Sequence, residues 1–196
     1  MFIDYDPIEA RVGCVTSANV EAMGNVVHHL YENGRRRIAH ITGQSSTCPG
    51  PDRLLGFRSE LAKLGLPLRP EYVEEGDYFH RSGYEATKRL LALPEPPDAI
   101  TCASDVMAVA AMVAVTDAGL RVPEDIAVTG FDDAPFAVTV KPSLTTVRQD
   151  AIGLGTAAAE AILRMLEHPD EPPPTTVLPT ELIVRESSGP LAPSKS

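Results

Sequence analysis

Short apolar runs alternate with longer amphipathic ones along this chain. Residues 2–3, 12–16, 38–42, 72–78, 98–103 and 126–129 are rich in β-branched and aromatic residues and have strand length. That composition suits buried strands. Between them apolar residues recur at spacings of three and four, the period of one helix face. Val20, Met23, Val27, Leu30 and Tyr31 predict a helix over 20–33, closed by Asn33-Gly34. Leu54, Phe57, Leu61 and Leu64 predict another over 52–64, after a loop over 44–51, and a third spans 82–93. Over 106–118 the apolar positions Met107, Val109, Met112, Val113 and Val115 cover more than one face, so that helix is buried on more than one side. After Asp150, Ile152, Leu154, Ala158, Ala161, Ile162, Met165 and Leu166 mark one side of a helix ending near 167. A last strand is predicted over 176–184, with Pro179 at a bulge or edge position. Strands alternating with helices predict an α/β fold, a parallel sheet flanked by helices.

In an open parallel sheet, ligands sit beyond the carboxyl ends of the strands. The 126–129 run stops there at Gly130-Phe131-Asp132-Asp133, a turn with two carboxylates placed to meet a polar ligand or to cap the next turn. Arg53 stands near a helix start, where a cation opposes the helix dipole, so a specific acidic or ligand partner is expected. Tyr78 ends the 72–78 run and offers a ring with a polar handle, or serves as a core or rim tyrosine. Ser104 and Asp105 both suit a helix N-cap. Arg35-Arg36-Arg37 reads as cations at a helix end, bridging to the next strand.

The net charge of −10 makes this chain a poor partner for phosphates, so it is not expected to hold nucleic acid by itself. Cys14, Cys48 and Cys102 have no paired spacing and read as buried or free thiols of a reducing compartment. The histidines are scattered, so no metal site is expected, and no cofactor motif occurs. A signal peptide and a membrane-spanning run are both missing, which makes the cytoplasm the expected location. No G-x-S-x-G, P-loop or HExxH motif suggests an enzyme.

Five spaced motifs carry a resemblance. They are Gly130-Phe131-Asp132-Asp133 with the Pro142-to-Asp150 stretch, the Asn33-to-Gly43 segment, Arg53-Leu54-Leu55-Gly56-Phe57, Ala103-Ser104-Asp105, and Pro179, Leu182, Arg185 and Ser187. Taken in their order along the chain, they resemble the LacI/GalR family of bacterial transcription regulators. Arg35 stands where that family has histidine. The resemblance implies a type I periplasmic-binding-protein-like fold, two lobes with an effector between them. It places Asp4, Arg53, Tyr78, Ser104, Asp132 and Gln149 against a sugar or similar small molecule, and Val109 and Met112 at a homodimer interface. It divides the chain into a first-lobe remnant (1–18), a second lobe (19–144), a crossover with a first-lobe helix (145–172), a last second-lobe strand (173–188) and a tail (189–196). The first lobe is thus expected to be incomplete, with DNA contacted only through an N-terminal domain absent here. A sugar-binding transport protein and an inactive truncated product are the alternatives.

Overall fold

In the computed structural model, residues 2–3, 13–45, 49–172 and 174–189 are described. Asp4 and Cys48 lie outside the described residues. The elements in chain order are β1 (Phe2–Ile3), β2 (Cys14–Ser17), α1 (Asn19–Glu32), β3 (Ile38–Ile41), α2 (Pro49–Lys63), β4 (Val73–Glu74), α3 (His80–Leu91), β5 (Ala99–Cys102), α4 (Asp105–Asp117), β6 (Ala127–Thr129), β7 (Thr146–Gln149), α5 (Ala151–Glu167), β8 (Thr175–Leu178) and β9 (Thr180–Ile183).

The central sheet is parallel, in the order β4-β3-β5-β6. Strands β3, β5 and β6 are buried on both faces because helices cover each side, while the edge strand β4 is half-buried. Alternate residues feed two cores, as the two-residue period of a strand requires. Ile38, Ala99 and Ala127 meet Met23, Val27 and Leu30 of α1 and Phe57 and Leu61 of α2. Ala39, Ile41, Ile100, Cys102 and Val128 meet Leu90 of α3 and Met107, Ala111 and Val115 of α4. A second parallel sheet runs β1-β2-β8, and β7 pairs antiparallel with β9.

Four details differ from the expectations. The 72–78 strand shrinks to β4, preceded by a 3-10 turn over Pro70–Tyr72; the chain leaves the sheet at Glu75-Gly76-Asp77, and Tyr78 has φ 70°. Helix α2 starts at Pro49, inside the expected loop, because a proline in the first turn loses only an N–H that has no helical partner. The single last strand divides at Pro179, which has no N–H for a ladder: β8 joins β2 in the second sheet, and β9 joins β7. On α5 only Leu154, Ala158 and Ala161 are buried, whereas Ile152 is 84% and Leu166 74% exposed and Ile162 is also exposed. The three-stranded sheet offers α5 one narrow surface, so half of its apolar side has nothing against it among the described residues.

Candidate ligand-binding site

The candidate residues gather where β2, β3, β5, β6 and β7 end. After β6, the amide of Gly130 donates to the Thr145 carbonyl at 2.9 Å and that of Asp132 to the Val147 carbonyl at 2.8 Å. The segment leading into β7 therefore runs alongside β6 and brings Gln149 to Asp132. Gln149 Nε2 donates to Asp132 Oδ1 at 2.8 Å, and Gln149 Oε1 accepts from Ser17 Oγ at 2.9 Å. Asp132 (φ 122°) and Asp133 (φ 53°) both occupy positive-φ backbone that non-glycine residues rarely adopt. Strain of this kind persists only where the surroundings enforce it, and it gathers at binding sites.

The two aspartates have different work. Asp133 is clamped: its Oδ1 accepts from Arg185 Nη2 at 2.6 Å and its Oδ2 from Arg148 Nε at 2.8 Å. Burial disfavours its charge, but the two arginines outweigh that and hold its carboxyl below the usual range. Asp133 fastens the turn, while Asp132 remains exposed at the rim.

A third carboxylate lies beneath them. Asp105 has no exposed surface; it accepts from the Thr146 hydroxyl at 2.5 Å and from the Ala134 amide at 2.7 Å. Burial pushes its pKa up to about 7 against these hydrogen bonds, and the charges of Asp132 and Asp133 add to the rise. Gly130 is required by this carboxylate and not by a left-handed turn: its φ is not positive, and a Cβ there would overlap Asp105 Oδ1. The sequence suggested only a helix cap for Asp105.

Arg53 is 3% exposed, which answers the question its position in the sequence raised. Its Nε donates to Asn19 Oδ1 at 2.8 Å, its Nη1 to the Ala103 carbonyl at 2.5 Å, and its guanidinium lies 3.5 Å over the Phe131 ring. It thus touches the residues immediately before Ser104 and Asp132. Ser104 caps α4, its hydroxyl oxygen accepting from the Met107 amide at 3.3 Å. Tyr78 is half-buried and lays its ring on the backbone at Gly43, where any Cβ would overlap it. Arg53, Ser104, Asp132 and Gln149 therefore share one neighbourhood, with Tyr78 at the adjoining end of β3. Ser17, Asn19, Phe131 and Asp105 belong to it as well. No role for Asn19 is legible in the sequence; a position opening a helix is all that marks it there.

Val109 and Met112 stand elsewhere. With Val113, Val140 and Pro142 they line a separate groove of about 660 Å³ on the outer side of α4. Among the described residues, no group of three or more His, Cys, Asp or Glu is placed to hold a metal ion. Cys14 and Cys102 are buried free thiols. No helix among the described residues is long and apolar enough to cross a membrane.

Residues 27–188 match the family described as periplasmic binding protein-like domain. The chain belongs to this family. This periplasmic binding protein-like domain is 35% identical over 185 residues to the probable HTH-type transcriptional repressor ExuR of Bacillus subtilis, covering 94% of this chain and 56% of that protein. It is 34% identical over 180 residues to the HTH-type transcriptional repressor CytR of Escherichia coli, covering 92% and 53%. Among solved structures, the transcriptional regulator CelR–cellobiose complex superposes with a TM-score of 0.89 at 34% identity, over 93% of this chain and 57% of that one. The lac repressor dimer bound to operator and the anti-inducer ONPF superposes at 0.86 and 30%, over 96% and 56%. The domain spans little more than half the length of these relatives. Its parallel sheets flanked by helices are those of the sensing part of LacI-family regulators, and its relatives here are repressors.

Proposed function

We propose that this chain is the effector-sensing part of a LacI-type transcriptional repressor. In this reading it binds a sugar-like small molecule at the ends of the strands and works in the cytoplasm. The observation that carries it is Arg53, a buried guanidinium oriented by an amide, a carbonyl and an aromatic face beside the residue that precedes Asp132. A cation so held and a rim carboxylate suit the hydroxyls of a sugar, which donate to one and accept from the other. Tyr78 offers a ring for stacking, and Ser104 and Gln149 offer polar edges. Asp4 belongs to the same reading, as a further carboxylate from the chain's beginning. Ligand binding would shift the balance between two arrangements of the sheets, and so alter DNA binding by a part of the longer relatives that this chain does not span. With repressors as its relatives, a transport role is the weaker reading, and no catalytic role is assigned.

A melting-temperature screen with cellobiose, neutral monosaccharides and sugar acids tests the reading. At least one compound should raise the melting temperature, and Arg53→Ala and Asp132→Ala should each weaken its binding about tenfold or more. A panel without any shift, or an affinity unchanged in both variants, would sink the proposal.

The apolar groove carrying Val109 and Met112 supports a homodimer through α4. Val113 is 42% exposed at its rim. Val113→Lys should convert a sedimenting dimer to monomer without changing the circular dichroism. A wild-type chain that sediments as monomer at all concentrations would remove this interface.

A further inference from the structure

The geometry points to the end of β2 as the element that positions two charged groups of the site, Arg53 through Asn19 and Asp132 through Ser17 and Gln149. This rests on the reading of Arg53 and Asp132 as ligand-binding groups. Asn19 is 1% exposed. Its Nδ2 donates to Thr16 Oγ1 at 3.2 Å and to the Ser17 carbonyl at 3.1 Å, while its Oδ1 accepts from Arg53 Nε at 2.8 Å. Capping does not explain it: the N-cap of α1 is Ala18, with no side-chain cap bond. A carboxamide has a donor end and an acceptor end. Here the donor end holds the backbone of β2 and the acceptor end orients the guanidinium.

The second route repeats this logic. Ser17 Oγ donates to Gln149 Oε1 at 2.9 Å, and Gln149 Nε2 donates to Asp132 Oδ1 at 2.8 Å. The residues on either side of Ala18 thus lead to a cation and an anion, each through one side-chain amide. β2 belongs to the sheet β1-β2-β8, whereas Arg53 and Asp132 belong to elements around the other sheet. Moving β2 displaces both charges together. A ligand that draws Asp132 from Gln149 also loosens Ser17. Asn19 and Ser17 are positioning residues, with no ligand contact of their own.

Proton–nitrogen NMR of side-chain groups in the ligand-free full chain tests this. The Arg53 Nε–H should exchange slowly with solvent. Asn19→Ala should speed that exchange about tenfold, the loss of one hydrogen bond to a charged group, and Asn19→Asp, which keeps an acceptor, should stay within about threefold of wild type. Backbone amides in the middle of α2 should not change. Ser17→Ala should shift the Gln149 side-chain amide signals, and Ser17→Thr should restore them. An Arg53 signal indifferent to Asn19→Ala, equal losses in the alanine and aspartate variants, or Gln149 signals indifferent to Ser17→Ala would overturn the proposal. The sugar screen reads separately: an empty panel with the NMR pattern intact removes the ligand reading and leaves the positioning in place.

Discussion

His40 on β3 has no exposed surface; its ring stacks on Phe57 at 5.1 Å, and its Nδ1 lies 2.8 Å from Thr101 Oγ1. Burial lowers its pKa to about 3. A histidine depressed in the fold keeps its stability above its unfolded value near 6.5 and loses it as pH falls, because the unfolded chain gains a proton that the fold refuses. Asp105 has the opposite sign. Its folded value, about 7, lies above the unfolded one, so the fold gains stability as pH drops toward 4. Between pH 7 and 5 each amounts to about 2 kcal/mol, and they nearly cancel. Urea denaturation of Asp105→Asn should therefore lose about 2 kcal/mol more over that span than wild type does; parallel pH slopes would contradict the assignment. Arg35 makes a second case. It is fully buried and donates to the carbonyls of Asp98 (3.1 Å), Pro123 (2.6 Å) and Gly189 (2.9 Å). Arg35→Met should cost about 3 kcal/mol in urea denaturation, since three carbonyls lose their donor. The sequence displayed Arg53 as a charge near a helix start and Asp132 as one beyond a strand end, and that much was legible. It did not display Arg35, because a basic triplet after a helix looks superficial. The residues that bury Arg35 stand 63, 88 and 154 positions away.

At the scale of elements, periodicity located the helices well because α1, α2 and α3 each present one stripe to a core, and α4 met the expectation of burial on several sides. It failed where pairing decides. Nothing in 176–184 says that the residues before Pro179 belong to one sheet and those after it to another strand's edge. The cap of α4 was legible, since serine before an apolar helical run has a direct mechanism. Ser104→Ala should lower stability by about 1 kcal/mol in thermal denaturation, through the lost bond to the Met107 amide. α5 teaches the reverse lesson. Its apolar side reads as a buried face, yet Ile152, Ile162 and Leu166 are exposed. Contiguous exposed apolar surface promotes association. Replacing Ile152 and Leu166 with lysine should reduce light scattering of the concentrated chain while leaving its melting temperature within about 1 °C, as surface changes usually do. Equal scattering would place the self-association elsewhere.

At the scale of the whole molecule, the chain leaves the sheet that holds β2 by two crossings among the described residues. Ser17 to Asn19 carries it from β2 into α1, and Pro179 separates the strand paired with β2 from the strand paired with β7. Arg148 adds a lateral tie, joining Asp133 at 2.8 Å and Glu181 at 3.1 Å. These crossings converge on the strand ends where the candidate ligand groups lie, which is how binding there can bear on the arrangement of the rest. Motif order disclosed the family; the ties through Ser17, Asn19 and Arg148 needed coordinates, because each joins residues far apart in the chain. The bond from Arg35 to Gly189 has a practical corollary for anyone handling the protein. A carboxypeptidase that stops after Gly189 would turn the guanidinium's third acceptor into a terminal carboxylate, whereas one cut further would take the acceptor away. The melting curve of trimmed material thus serves as a ruler for how far the digestion has gone.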